Sequence, residues 1–284
     1  MPKKIAFLGP IGTYTDEASY LYAPSAERVP FASLGLVTSA LEEGNVDEAV
    51  VPIENSLGGT VIEVVDFLIA SEKSQIKGEF LLPIDHCLIT RPGVKLSDIR
   101  VVVSKQEALT QCRQFLAREL RFAEQVPATS TALAVVDLKE ADDRTAAIGP
   151  RRSAELAGLP VLAHGIQDRK NNVTRFAVLA SSSMPPSGSD KTTIAFDFDK
   201  PDAPGLVYGA MRPFADRGIN LTKIESRPTG TGMGNYIFLL DLEGHIDEPH
   251  VQQAITELQR HTSTFKVLGA YPRAEGMSVM QLDE

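Results

Sequence analysis

The sequence predicts an α/β protein built from two domains. Its 284 residues are about twice the usual length of one domain, and 43% of them are hydrophobic, enough for a core in each. Strand-like and helix-like segments alternate up to residue 180, and a different order follows. Between the two parts lies SSSMPPSGSD at 181–190, a composition typical of a linker. We therefore expect domains at 1–182 and 191–275, joined by a linker at 183–190.

The first domain opens with an apolar strand at 5–8 and a glycine-containing turn, after which Thr15 or Asp16 can cap a helix. Helical spacing at 37–41 ends at Gly44, and AVVPIEN at 49–55 predicts a buried strand. Another helical stripe covers 61–69. Ser104 and Glu107 have the spacing of a capping box, ahead of an apolar helical face that runs to residue 120.

The same domain continues with AAIG at 146–149, which predicts a strand, and a helix between Pro150 and Gly158. Repeated strand–helix units favour a parallel α/β sheet.

The second domain has the order βαββαβ. KTTIAFDF at 191–198 predicts a strand, Pro204 opens a helix, and Gly218 ends it. NLTKIESRP and YIFLLDLEG then form a hairpin across TGTGMG at 229–234, before a helix at 251–258 and the strand FKVLGAY at 265–271. This order is typical of the ferredoxin-like split βαβ arrangement.

Composition excludes several classes of function. With 28 basic and 37 acidic residues the net charge is −9, a poor match to the basic surface of a nucleic-acid-binding protein. Two cysteines make neither a disulfide framework nor a zinc cluster, and the five histidines lack ligand spacing, so no metal is expected. The apolar stretch in the N-terminal MPKKIAFLG is too short for the core of a signal peptide or for a membrane span. We expect a soluble cytoplasmic protein.

Four segments have the residue types that chemistry needs. PIENSLGGT at 52–60 follows a strand, where parallel sheets bind ligands, and DRKNNVTRF at 168–176 places cations beside Asn172 and Thr174 in an acidic protein. GPIGTYTDEA at 9–18 and ATST at 128–131 precede helices. Each has a plain structural alternative: a turn, a solvated basic edge, a βα turn or an N-cap. The spacing alone does not decide between these readings.

Together these segments resemble the prephenate dehydratase family along nearly the whole chain. The resemblance rests on GPIGTYTDEAS, VPIENSLGGTV, SKQEALTQC, the STxxA stretch at Ser130, AAIGPRRSAELAGL and NNVTRF. GLVYGAMRPFADRGINLTKIESRP in the second domain is similar to the family's pair of phenylalanine-binding motifs. Two positions depart from the pattern: Leu206 replaces a small residue, and Ser104 stands where the family often has histidine. No chorismate-mutase helix precedes Ile5, so a monofunctional enzyme is expected.

The resemblance implies a two-lobed catalytic domain like the type II periplasmic-binding fold, followed by an ACT domain. It implies conversion of prephenate to phenylpyruvate, carbon dioxide and water in phenylalanine synthesis, without a cofactor. The catalytic positions that it implies are Thr174, Arg175 and Phe176. The substrate-binding positions are Thr13, Asn55, Ser56, Thr60, Thr129, Ser130 and Arg169. Arg169 or Arg175 is the expected partner of a substrate carboxylate.

The same resemblance implies feedback inhibition by phenylalanine, bound where two ACT domains of a homodimer or homotetramer meet. Its expected contacts are Gly205, Leu206, Val207, Asn220, Leu221, Glu225, Ser226, Arg227 and Pro228. Two alternatives remain at this point: an arogenate dehydratase, or an amino-acid sensor without catalytic activity.

Overall fold

The structure, a computed structural model, describes residues 2–198, 203–229 and 236–274. Contacts between residues divide the chain into two units. The first consists of the described residues up to Val61 and of Leu81–Phe176. The second consists of Ile62–Phe80 and of the described residues from Ala177 onward. The second unit therefore takes a segment from within the region 1–182.

The described strands, in chain order, are β1 (Lys4–Leu8), β2 (Glu27–Phe31), β3 (Glu48–Asn55), β4 (Gly59–Thr60), β5 (Gln75–Pro83), β6 (Cys87–Ile89), β7 (Val101–Ser104), β8 (Glu124–Pro127), β9 (Thr145–Gly149), β10 (Val161–Ala163), β11 (Val173–Ala180), β12 (Asp190–Phe198), β13 (Leu221–Pro228), β14 (Tyr236–Glu243) and β15 (Thr262–Pro272). The described α-helices are α1 (Tyr14–Tyr22), α2 (Leu34–Glu42), α3 (Ile62–Ala70), α4 (Gln106–Gln111), α5 (Arg113–Glu119), α6 (Thr131–Asp137), α7 (Arg151–Ala157), α8 (Leu206–Ala215) and α9 (Pro249–Gln259). Leu96–Asp98 forms a single 3₁₀ turn.

Two sheets carry the strand–helix region. The first has the order β2-β1-β3-β11-β5 with β4 on β3, and the second has the order β10-β6-β9-β7-β8. Strand β1 is parallel to β2 and β3, and β7 is parallel to β8 and β9. The expectation of a parallel sheet is wrong for β6, which runs antiparallel to β9 and β10. No crossover helix leads into β6, so nothing imposes the parallel direction.

The core of the second sheet follows from the alternation of side chains along β6. Leu88 packs into one buried cluster with Leu109 and Leu116, whereas Cys87 and Ile89 pack into another on the opposite face. Burial raises the pKa of the Cys87 thiol to about 12, and the same cause raises that of Cys112 to about 12. Both cysteines therefore behave as small apolar residues.

Two helix starts differ from those expected. Helix α1 is capped by Thr13, whose hydroxyl accepts from the backbone N–H of Asp16 at 3.2 Å, and not by Thr15 or Asp16. The capping box at Ser104 and Glu107 is also wrong. Ser104 ends β7, and its hydroxyl donates to the Ile148 carbonyl at 2.6 Å. A cross-strand acceptor thus takes the group that would have capped the helix.

The second unit contains the expected βαββαβ order. Its sheet runs β13-β14-β12-β15 with antiparallel pairs throughout. Phe214 of α8 and Leu258 of α9 are buried in one cluster with Leu240 of β14. Strand β13 pairs with β14 as the expected hairpin, and residues 230–234 of its turn lie outside the described residues.

Residues Ile62–Phe80 join this sheet through polar contacts and one close backbone approach. Lys191 of β12 forms an ion pair with the buried Glu79 at 2.6 Å, and Lys266 of β15 donates to the Ile69 carbonyl at 2.9 Å. A Cβ added at Gly269 would lie 2.3 Å from the carbonyl oxygen of Ile76. Only glycine allows β15 to approach so closely.

Candidate active site

The loop after β3 and the start of β11 are joined by the hydrogen bonds of Ser56. The backbone N–H of Ser56 donates to the Val173 carbonyl at 2.9 Å. Its hydroxyl donates to the Asn171 carbonyl and accepts from the Val173 N–H, both at 3.0 Å. The predicted PIENSLGGT and NNVTRF segments are therefore adjacent, although they lie more than a hundred residues apart.

Asn55 orients Thr174 at this junction. The Asn55 Oδ1 accepts from the backbone N–H groups of Leu57 and Gly58, each at 2.9 Å. Its Nδ2 donates to Thr174 Oγ1 and to Asn172 Oδ1, also at 2.9 Å. The Thr174 oxygen is therefore an acceptor. Among the described residues none takes the Thr174 hydroxyl proton, which remains available to a ligand.

The hydrogen bonds continue from Asn172 away from Thr174. Asn172 Nδ2 donates to Gln111 Oε1 at 3.0 Å, and this oxygen is 2.9 Å from His86 Nε2. His86 Nδ1 is 3.0 Å from the Tyr14 hydroxyl. Burial lowers the pKa of His86 and outweighs the hydrogen bond with Gln111, which raises it. Burial also holds the pKa of Tyr14 well above its usual value, so the phenol keeps its proton.

Sequence reasoning missed Gln111 and His86. Gln111 ends α4 directly before Cys112, where the expected apolar helix is interrupted before α5 begins. A polar residue at the end of an apolar stripe was the available signal. His86 lacks ligand spacing with other histidines, and its partners lie 25 and 72 residues away in the chain. Only the fold brings these partners to it.

The two candidate cations differ in their surroundings. Arg175 has a side chain that is 11% exposed, and it pairs with Glu54 of β3 at 3.0 Å. Arg169 is exposed. The Arg169 guanidinium is solvated and open to a substrate carboxylate, whereas the Arg175 guanidinium already faces an acidic side chain.

The remaining predicted positions have local roles. Thr13 caps α1, and Ser130 caps α6 by accepting from the Ala132 N–H at 3.2 Å. Thr60 of β4 pairs with Glu54, and Thr129 is exposed. Phe176 is 1% exposed and lies two residues after Thr174 in β11, so the two side chains are on the same face of the strand. Within the described ranges, Thr13, Thr129, Ser130 and Arg169 form no hydrogen bond with Asn55 or Thr174.

The predicted regulatory residues lie in the second unit. Gly205 caps α8 with φ of +90°, and a Cβ there would meet nothing within 4 Å. Leu206 and Val207 form the first turn of α8, and Asn220 precedes β13. Strand β13, an edge strand, contains the expected Leu221, Glu225, Ser226, Arg227 and Pro228.

Side chains along β13 are alternately half-buried and exposed. Arg227 forms an ion pair with Asp66, and Glu225 lies 3.3 Å from Lys223. Ile224 is 53% exposed, which leaves an apolar side chain on this edge strand in solvent.

Two kinds of feature are absent from the described residues. No group of three or more His, Cys, Asp or Glu residues there is placed to hold a metal ion. None of the described helices combines the length and the apolar character that crossing a membrane requires.

Comparisons with known proteins match both parts of the chain. The family model for prephenate dehydratase matches residues 5–184, and that for the ACT domain matches 200–260. A prephenate dehydratase of Mycolicibacterium smegmatis is 38% identical over 100% of this chain and 95% of its own length. Arogenate dehydratase 2 of Petunia hybrida is 35% identical over 97% of this chain and 73% of its own.

A solved structure agrees with the sequence matches. Prephenate dehydratase from Arthrobacter aurescens in complex with L-Phe is 37% identical, with a TM-score of 0.86 over 95% of this chain and 90% of that chain. The chain belongs to the prephenate dehydratase family of carbon–oxygen lyases and contains an ACT domain after the catalytic region.

Proposed function

We propose that the Asn55–Thr174 junction carries out the reaction of this family, in which prephenate gives phenylpyruvate, carbon dioxide and water. The bond from the ring to its carboxylate breaks, and its electron pair enters the ring. The C4–oxygen bond breaks with it, and the departing hydroxide takes up a proton to become water. The new aromatic ring accepts the electrons, so the step needs no separate electron acceptor.

The observation that carries the proposal is the state of the Thr174 hydroxyl. Its oxygen accepts from Asn55 Nδ2 at 2.9 Å, and this bond polarises the O–H group as a donor. A hydroxyl in that state can donate to the C4 oxygen as it departs. Threonine is a very weak acid, so Thr174 orients the leaving group, and one proton taken up from the medium turns the departing hydroxide into water. Assistance of this kind contributes about 10²–10⁴-fold to a rate.

Arg169 is the proposed partner of a substrate carboxylate. It is exposed and carries no ion pair in the described residues, whereas Arg175 pairs with Glu54. A guanidinium matches the two oxygens of a carboxylate.

The experiment incubates the purified chain with prephenate and, separately, with arogenate, and follows the products by chromatography. Phenylpyruvate from prephenate supports the proposal. Preferred formation of phenylalanine from arogenate would favour the second candidate, which the similarity to the Petunia enzyme supports. Absence of both products would identify a sensor without catalytic activity.

Regulation by phenylalanine is the second part of the proposal. The related Arthrobacter structure contains L-Phe, and here open space at Gly205 adjoins the first turn of α8. An edge strand with the exposed Ile224 favours contact with a second copy of the chain. We assign phenylalanine to the region of Gly205–Val207 and Asn220–Pro228, in a dimer or tetramer of the chain. We further assign the enzyme to the cytoplasm.

A further inference from the structure

A continuous set of hydrogen bonds, called the polar chain below, joins the side chains of Tyr14, His86, Gln111, Asn172, Asn55 and Thr174. Amides and imidazoles can each present a donor or an acceptor at a given position. The hydrogen bonds of such a chain can therefore run from donor to acceptor in either direction, unless contacts outside the chain fix the orientation of one member.

Asn55 is the fixed member. Its Oδ1 faces the N–H groups of Leu57 and Gly58, which can only donate. Exchanging its oxygen and nitrogen would remove both bonds. The exchange would also turn an oxygen toward the Val173 carbonyl, which now lies 3.3 Å from Nδ2. Backbone geometry therefore determines the orientation of the Asn55 amide.

The orientation of Asn55 then determines the donor and the acceptor in each following hydrogen bond. Because Asn55 Nδ2 is a donor, Asn172 presents Oδ1 to it and turns Nδ2 toward Gln111. Gln111 must accept with Oε1, and the same oxygen faces His86 Nε2 at 2.9 Å. The Gln111 oxygen carries no proton, so the nitrogen that bonds to it must carry one. His86 Nε2 must therefore carry hydrogen.

The far end of the polar chain is consistent with this direction. A neutral His86 with its proton on Nε2 has a lone pair on Nδ1, 3.0 Å from the Tyr14 hydroxyl. The single phenol proton can go to this nitrogen or to the Asp85 carbonyl, whose oxygen lies 2.8 Å from the hydroxyl. Burial favours the neutral imidazole.

We propose that Asn55 fixes His86 in the Nε2–H tautomer through the polar chain, and that His86 is a positioning residue for Gln111 and, through it, for Asn172 and the Thr174 site. The tautomer follows from the hydrogen bonds alone, whereas the positioning role rests on the proposed function of Thr174. Donation from His86 to Gln111 Oε1 holds this amide in the one orientation that lets Asn172 bond to it.

The tautomer is measured by two-bond ¹H–¹⁵N correlation spectra of the full-length ¹⁵N-labelled chain at neutral pH. The His86 signals are those that disappear in His86→Gln. We expect a protonated Nε2 and an unprotonated Nδ1 in the wild type. An Nδ1–H tautomer, or averaging between the two tautomers, would overturn the proposal.

Asn55→Asp should reverse the polar chain. The new carboxylate oxygen would accept where Nδ2 donated, so Asn172 and Gln111 would each exchange oxygen and nitrogen. Gln111 would then donate to His86 Nε2, and His86 should change to the Nδ1–H tautomer. Tyr14→Phe is the matched control at the other end, and it should retain Nε2–H. An unchanged tautomer in a folded Asn55→Asp protein, or a changed one in Tyr14→Phe, contradicts control by Asn55.

Kinetics test the positioning role. His86→Gln keeps an N–H donor near the Nε2 position, whereas His86→Asn keeps only a polar group near Nδ1. We expect His86→Asn to lower kcat for prephenate about 10–100-fold with little change in KM, and His86→Gln to restore much of the loss. Equal kcat values in the two variants would remove the positioning role. Failure of the wild type to turn over prephenate would refute the proposed function and leave the tautomer result intact.

Discussion

At the scale of single residues, two polar side chains of the first unit each join several groups near the ends of strands. Asn55 uses both ends of its amide, one to hold its own turn and one to orient Thr174. Asp16 has no exposed surface and accepts from Arg28 Nη1 at 2.5 Å, Arg152 Nε at 2.7 Å and the Gly12 N–H at 3.0 Å. The Asp16 carboxylate thus stabilises the glycine-containing segment at 9–18, which was one of the segments considered for a ligand.

Asp16→Asn should destabilise the protein by about 3 kcal/mol or more, because it leaves two largely buried guanidinium groups without their counter-charge. The free energy of unfolding is measured in urea, with Glu17→Gln as the neighbouring control, which should change it by less than about 1 kcal/mol. Similar stability of the two variants would show that the ion pairs contribute little.

Individual site residues could be predicted from the sequence only where a motif named them. Asn55, Ser56 and Thr174 do lie together, and the motif order indicated this. Gln111 and His86 could not be found in this way. Their hydrogen bonds join residues that are 61 and 25 positions apart in the chain, and a lone histidine without ligand spacing has no local signal.

At the scale of elements, periodicity predicted what is buried better than where helices begin. Leu109, Cys112, Leu116 and Leu120 are all buried as the stripe required, although the helix is interrupted at Cys112. Ser104 shows why caps are harder to predict, because its hydroxyl had an alternative acceptor on β9. The direction of a strand could not be predicted from local pattern either, since β6 runs antiparallel to β9.

Gly269→Ala should destabilise the protein by about 1–3 kcal/mol or more, because the new methyl group would meet the backbone of Ile76 in β5. Gly78→Ala is the matched control in β5, since a Cβ at that position meets nothing within 4 Å. We expect the control to be neutral or slightly stabilising. Thermal unfolding of both variants checks this, and equal melting temperatures would contradict the close approach of β15 to β5.

At the scale of the whole molecule, the family's architecture assigns chemistry to one region and regulation to another. The ACT-domain match covers 200–260, while the unit that contains its sheet also includes Ile62–Phe80. The ion pairs of Lys191 with Glu79 and of Arg227 with Asp66 join that segment to the sheet. A ligand that shifts β13 therefore acts on a unit that includes residues from the catalytic family match.

Phenylalanine should bind the full-length chain and inhibit prephenate turnover, with a coupling of about 5–150-fold in affinity. Asn220→Ala should weaken the inhibition, since its amide can bond both the ammonium and the carboxylate group of an amino acid. Gln253→Ala on the exposed side of α9 is the control. Calorimetry and inhibition curves are the measurements. The regulatory assignment fails if phenylalanine does not bind, or if both variants respond as the wild type does.

The most direct test of the central claim is kcat/KM for prephenate in Thr174→Ala, compared with Thr174→Ser and the wild type. The account predicts a loss of about 10²-fold or more for alanine, partial retention for serine, and little change in the free energy of unfolding. Serine keeps a hydroxyl that can accept from Asn55, and in the proposed mechanism that hydroxyl donates to the leaving oxygen. Near-normal kcat/KM in a folded Thr174→Ala protein would contradict the assignment of this hydroxyl to the reaction.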